Sequence, residues 1–136
     1  MSRGKQFILT YWCGPRYDPE LLDERYEDVV KAGFNVAAPS IDQSLSREQN
    51  LAILDVCERK GIPYIVQDPR MQQAISAEEG EWEPIVDAMM ADYGDHPALY
   101  GYYLCDEPHS QMFQRLGDIA ARLRAKDPTK LAYINL

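Results

Sequence analysis

Apolar and polar positions follow two rhythms along this chain, and the rhythms alternate. Short runs dense in β-branched and aromatic residues fall at 7–12, 35–41, 63–67, 99–104 and 131–134, each about the length of a strand. Between them, apolar residues recur every three or four positions, the spacing of a helix with one buried face. Asp18 as N-cap and Pro19 at the first helical position open the first helix, and Gly33 stops it. Ser46 and Gln49 make a capping box for the second helix, which Gly61 ends. The third carries Trp82, Ile85, Val86, Met89 and Tyr93, with Pro84 in its first turn. The fourth follows Ser110, carries Met112, Leu116, Ile119 and Leu123, and ends at Asp127-Pro128.

The resulting order, β-α-β-α-β-α-β-α-β, predicts an α/β fold with a parallel sheet and right-handed crossovers. Strands that are apolar on both faces fit a sheet with helices on one side and a core on the other. Successive strands start 28 to 36 residues apart. That unit suits a TIM-type (β/α) barrel and, on rhythm alone, a doubly wound sheet almost as well. A complete eight-unit barrel takes about 250 residues, whereas these 136 hold four β/α units and a fifth strand. We therefore expect residues 1–136 to be a single unit, either the N-terminal half of a barrel truncated after its fifth strand or an open five-stranded domain. In the half-barrel, the strand at 131–136 presents an unpaired edge and a route to self-association.

Composition narrows the field. With 46% hydrophobic and 26% charged residues, the chain is an ordinary globular sequence, not a disordered, collagenous or coiled-coil one. No apolar run approaches the roughly 18–20 residues of a spanning helix, so no membrane partner is expected. The apolar stretch after Lys5 is too short for a signal-peptide core, so the chain as given is expected to be cytoplasmic, with a trimmed export signal left open. Twenty-two acidic against 14 basic residues give a net charge of −8, the wrong sign for nucleic acid or anionic membranes but no obstacle to a neutral sugar. Cys13, Cys57 and Cys105 are odd in number and form no CxxC pair, which points to a reducing compartment. The glycine-rich nucleotide loops, the G-x-S-x-G elbow and the H-E-x-x-H helix are all missing, so neither an organic cofactor nor a metal is implied.

In parallel α/β folds the reactive groups collect where strands run into loops. Here those positions hold Trp12 and Cys13; Asp42 and Gln43; Asp68 and Arg70; Cys105, Asp106, Glu107 and His109; and Asn135. Carboxylates beside a large aromatic ring suit carbohydrate chemistry, because acids move protons and a flat ring packs on the C–H face of a sugar. Asp106 and Glu107 are adjacent at the end of an apolar strand, so they point to opposite sides and meet different surroundings. The alternative is that Asp-Glu-Pro simply opens the next helix, with its acids near the positive end of the dipole. Asp68 and Arg70 are candidates for sugar hydroxyls or for an ion pair that ties the loop. His109 is a candidate proton-transfer partner for Glu107 or a plain solvent-facing side chain.

The segment Gly101-Tyr102-Tyr103-Leu104-Cys105-Asp106-Glu107-Pro108, after Asp95-His96-Pro97-Ala98-Leu99, resembles the fourth-strand region of clan A glycoside hydrolases. These are (β/α)8 retaining glycosidases of the cellulase-like and β-galactosidase-like families. A looser likeness runs from Trp12-Cys13-Gly14-Pro15 to the end of the chain. The resemblance implies a glycosidase barrel in which Glu107 is the general acid/base. Asp106 stands where the family usually has an asparagine that contacts the sugar 2-hydroxyl, and Trp12, Asp42 and Asn135 help position the sugar. The family's nucleophile is a glutamate at the end of the seventh strand, a position these residues do not reach. The implied parent reaction is hydrolysis of O-glycosidic bonds with retention, and the isolated chain is expected to turn over little or nothing. A second reading is a non-catalytic α/β half-barrel or open-sheet domain that self-associates and binds carbohydrate.

Overall fold

The computed structural model describes residues 6–136; residues 1–5, part of the stretch read for an export signal, lie outside the described residues. The described residues form an α/β fold with five α-helices and a small parallel sheet. The elements are α1 (Leu22–Lys31), α2 (Arg47–Lys60), β1 (Tyr64–Val66), α3 (Arg70–Ser76), α4 (Trp82–Tyr93), β2 (Leu99–Asp106), α5 (Phe113–Lys126) and β3 (Leu131–Asn135). The strands lie side by side in sequence order, each pair parallel. No helix among the described residues is long and apolar enough to cross a membrane.

Local chemistry accounts for the elements that match expectation. Ser46 accepts the Gln49 backbone N–H at 3.1 Å while the Gln49 side chain accepts the Ser46 N–H at 2.9 Å, closing the capping box of α2. Gly61 ends that helix at φ 70°, a left-handed conformation that only glycine adopts without steric cost. Gly101 serves another purpose, since a Cβ there would sit 2.2 Å from the Leu131 carbonyl oxygen. Its missing side chain is what lets β3 pair closely with β2.

Three expectations are modified. The first two strand-like runs do not join the ladder as strands. Residues 7–14 run beside 35–39 through Asn35 N–H to Leu9 C=O at 3.0 Å and Gly14 N–H to Pro39 C=O at 2.9 Å. The Asn35 side chain takes over the remaining backbone partners, accepting from Leu9 N–H at 2.8 Å and donating to Phe7 C=O at 2.7 Å. A side chain thus replaces the ladder bonds. The 35–41 run contributes one parallel bridge, Ala37 to Tyr64. Asp18 does not cap α1: its carboxylate accepts the Glu20 N–H and its carbonyl the Leu21 N–H, making a turn ahead of the helix. A short helix, α3, follows the Asp68-Pro69 turn where none was expected.

Packing is one-sided. All five helices contribute to the large buried cluster, which meets the sheet through Tyr64, Val66, Leu99, Tyr102 and Leu104. Full burial of side chains such as Leu99 and Ile119 stabilises the fold by about 1.5–3 kcal/mol each. The other face carries a small cluster of Val36, Ile65 and Tyr103, flanked by Ile41, Tyr100, Leu131 and Tyr133, with no helical residue in it. Tyr103 and Tyr133 meet edge to face at 5.3 Å across the β2–β3 pair.

Candidate functional site

β2 carries the most distinctive group. Its register with β3 slips between Tyr103 and Cys105, so Asp106 pairs with Asn135 at the tip of the sheet. The Asn135 side-chain amide donates to Asp106 Oδ1 at 2.7 Å. The chain then turns at Glu107, the only non-glycine among the described residues with positive φ, at 42°. The following Pro108 disfavours the right-handed helical region for Glu107. Its backbone N–H donates to the Asn135 carbonyl at 2.8 Å, fixing the turn to the neighbouring strand. Left-handed backbone at a bulky residue costs about 1 kcal/mol or more, and such conformations concentrate at functional sites.

Asp106 and Glu107 are both exposed, and they differ in how far their side chains are engaged. Asp106 is tied to β3, while the Glu107 side chain has no hydrogen bond or ion pair among the described residues. Below them lies Tyr103, buried. Burial, reinforced by the nearby Asp106 charge, pushes the Tyr103 pKa up and keeps the phenol neutral.

The other candidates divide clearly. Asp42 is bound by the Ser40 hydroxyl and the Arg16 guanidinium, and these partners hold its carboxyl below the usual range. Asp68 is 4% exposed and fully engaged. It accepts the Arg70 backbone N–H at 2.9 Å, Arg70 Nε at 2.9 Å and Nη2 at 2.7 Å, and the Tyr93 hydroxyl at 2.6 Å. Burial pushes its pKa up, but the bonds from Arg70 and Tyr93 outweigh it and the carboxyl lies below its ordinary value. Arg70 also bridges to Asp92 at 2.7 Å, and Asp92 in turn pairs with Arg47 at 2.9 Å. This network pins α3 and α4 to the end of β1, the loop-tying alternative for Asp68 and Arg70. Its long-range member Tyr93 was legible only as a core residue of α4.

Trp12 is 53% exposed and His109 is exposed; both follow extended segments at the same end of the sheet as Asp106. The structure thus brings Asp106, Glu107 and Asn135 into direct contact, gives Asp42, Asp68 and Arg70 other partners, and leaves Trp12 and His109 open to solvent. At the opposite end of the sheet, Asp55, Glu58 and His96 hold potential ligand atoms within 4.8 Å of one another. His96 Nδ1 accepts the Ala98 N–H at 3.1 Å, which places the ring proton on Nε2, toward Asp55. A metal on Nε2 requires that proton to sit on Nδ1 instead, so the trio fits a hydrogen-bonded contact better than a metal centre.

No family model matches the chain, and no curated protein matches it.

Proposed function

We propose that this chain is the acid/base side of a glycoside hydrolase-like site, built on part of a TIM-type (β/α) barrel. The observation that carries the reading is the end of β2, where Glu107 is held in left-handed backbone with its carboxyl open to solvent beside Asp106. The barrel part of the reading rests on strand order and sidedness. A doubly wound sheet reverses its strand order and buries both faces under helices, whereas here the order is sequential and all helices lie on one face.

In this reading Glu107 protonates the leaving glycosidic oxygen and later takes a proton from the attacking water. Asp106 accepts a sugar hydroxyl and Trp12 packs on the ring. A retaining mechanism needs a second carboxyl group about 5 Å from the first. Asp42 and Asp68 are both held by arginines, and Asp106 is bound to Asn135, so none is a free nucleophile. Saccharide binding without turnover is therefore the expected behaviour of these residues.

The second reading, a binding module that self-associates, draws support from β3. Its outer edge and the parallel segment at 7–12 are both uncharged, without the lysines or prolines that usually guard exposed edges.

The test is calorimetric titration and hydrolysis assay with p-nitrophenyl α- and β-glycosides of glucose, galactose, mannose and xylose. We expect saturable binding of at least one, weakened about tenfold in Glu107→Ala, as loss of a hydrogen bond to a charged group implies. Hydrolysis that vanishes in Glu107→Gln would favour a complete enzyme over a binding module. Absence of binding by every glycoside at millimolar concentration contradicts both readings.

A further inference from the structure

Asn135 touches both acidic residues at once, through different atoms. Its side-chain amide donates to Asp106 Oδ1 at 2.7 Å, and its backbone carbonyl accepts the Glu107 N–H at 2.8 Å. We propose that Asn135 is a positioning residue that fixes the Asp106 carboxylate as an oriented acceptor and anchors the Glu107 turn, not a residue that itself contacts sugar. This inference rests on the glycosidase-like reading of the site for its purpose, though not for its geometry.

Three features support it. First, Asp106 and Asn135 are register partners at the last rung of the β2–β3 ladder, so their side chains meet without any loop adjustment. Second, an aspartate has no donor of its own when ionised, so a donor from Asn135 settles which oxygen faces the neighbour and leaves the carboxylate accepting only. A site with that polarity takes ligand groups that donate, namely hydroxyls, and disfavours ligand carbonyls or carboxylates. Third, Glu107 occupies a conformation that an unanchored chain would relax, and its N–H bond ends on Asn135. Anchoring is divided by atom: the side chain orients Asp106, and the backbone holds Glu107.

That division makes the proposal testable. In Asn135→Asp the backbone carbonyl remains, but the donor facing Asp106 becomes an acceptor of like charge. Carbonyl-carbon NMR of the aspartate side chains, amide hydrogen exchange, and titration with the p-nitrophenyl glycoside panel read the three consequences. We expect the Asp106 carboxyl resonance to move, glycoside affinity to fall at least fivefold, and Glu107 amide protection to stay within twofold of wild type. Asn135→Gln, which restores a donor, should recover part of the affinity. Protection of the Tyr103 and Tyr133 amides reports whether the β2–β3 pairing is intact in each variant. An Asp106 resonance identical in Asn135→Asp overturns the proposal. So does a general loss of Glu107, Tyr103 and Tyr133 protection in that variant, which would make the residue merely structural. If the wild-type chain binds no glycoside, the functional reading fails while the carboxyl resonance and Glu107 protection still decide whether Asn135 holds the pair.

Discussion

At the scale of single residues, the account turns on what each carboxylate is already doing. Asp68 is buried and bound on both oxygens, so Asp68→Ala leaves Arg70 and Tyr93 without their partner and should destabilise the fold by about 3 kcal/mol, read by urea denaturation. Glycoside binding at the β2 tip should change little. Glu107 should behave in the opposite way. Asparagine tolerates left-handed backbone better than glutamate, so Glu107→Asn should leave the fold unchanged or stabilise it by up to about 0.5 kcal/mol while glycoside affinity falls. Stability gained as binding is lost marks a residue kept for function. Adjacency at a strand end made Asp106 and Glu107 legible in the sequence. The two-position spacing of Asp68 and Arg70 allowed an ion pair to be foreseen. Tyr93, 25 positions from Asp68, gave no such signal, because a tyrosine on an amphipathic helix looks the same whether or not its hydroxyl has a partner.

At the scale of elements, local signals were reliable where the chain satisfies its own backbone. The capping box and left-handed glycine of α2 appear as read, and Ser46→Ala should cost about 1 kcal/mol in thermal or denaturant unfolding. Signals failed where a distant side chain intervened. The run at 7–12 reads as a strand, but Asn35 supplies the hydrogen bonds that a ladder would have made. Helix α3 buries only Met71 and Ala74 over seven residues, too few apolar positions to show a period. Between α4 and α5, Arg122 grips Asp87 with two 2.7 Å bonds, and Lys126 adds a third contact. The bond from Arg122 leads in lowering the Asp87 pKa from 3.8 to about 2. A carboxylate with a depressed pKa contributes its stability above the unfolded value and loses it as pH falls through the folded one. Asp87→Asn should therefore destabilise measurably at pH 6, and the difference from wild type should shrink between pH 4 and pH 2.

At the scale of the whole molecule, the one-sided sheet is the dominant fact. Parallel order was legible from the βα rhythm, but which face the helices would cover was not, because β2 is apolar on both faces and periodicity is silent about its surroundings. On the face with no helix over it Val36, Ile65 and Tyr103 are buried, while Tyr100, Leu131 and Tyr133 stay half-buried beside an uncharged β3 edge that runs into exposed Leu136. Such surfaces promote association, so light scattering should give a mass that rises with concentration, and Tyr133→Lys should lower it toward that of one chain. A concentration-independent monomeric mass in the wild type would remove the self-association reading and leave the site assignment untouched.

The central claim is that the tip of β2, with Glu107 exposed in strained backbone and Asp106 held by Asn135, faces a saccharide. The most direct measurement is a titration of the 15N-labelled chain with the p-nitrophenyl glycoside panel, followed by amide and indole NMR. The account predicts saturable shifts concentrated at Asp106, Glu107, Asn135 and the Trp12 indole, and their loss in Glu107→Ala. Shifts that map instead to the opposite end of the sheet, or that persist unchanged in Glu107→Ala, would contradict it.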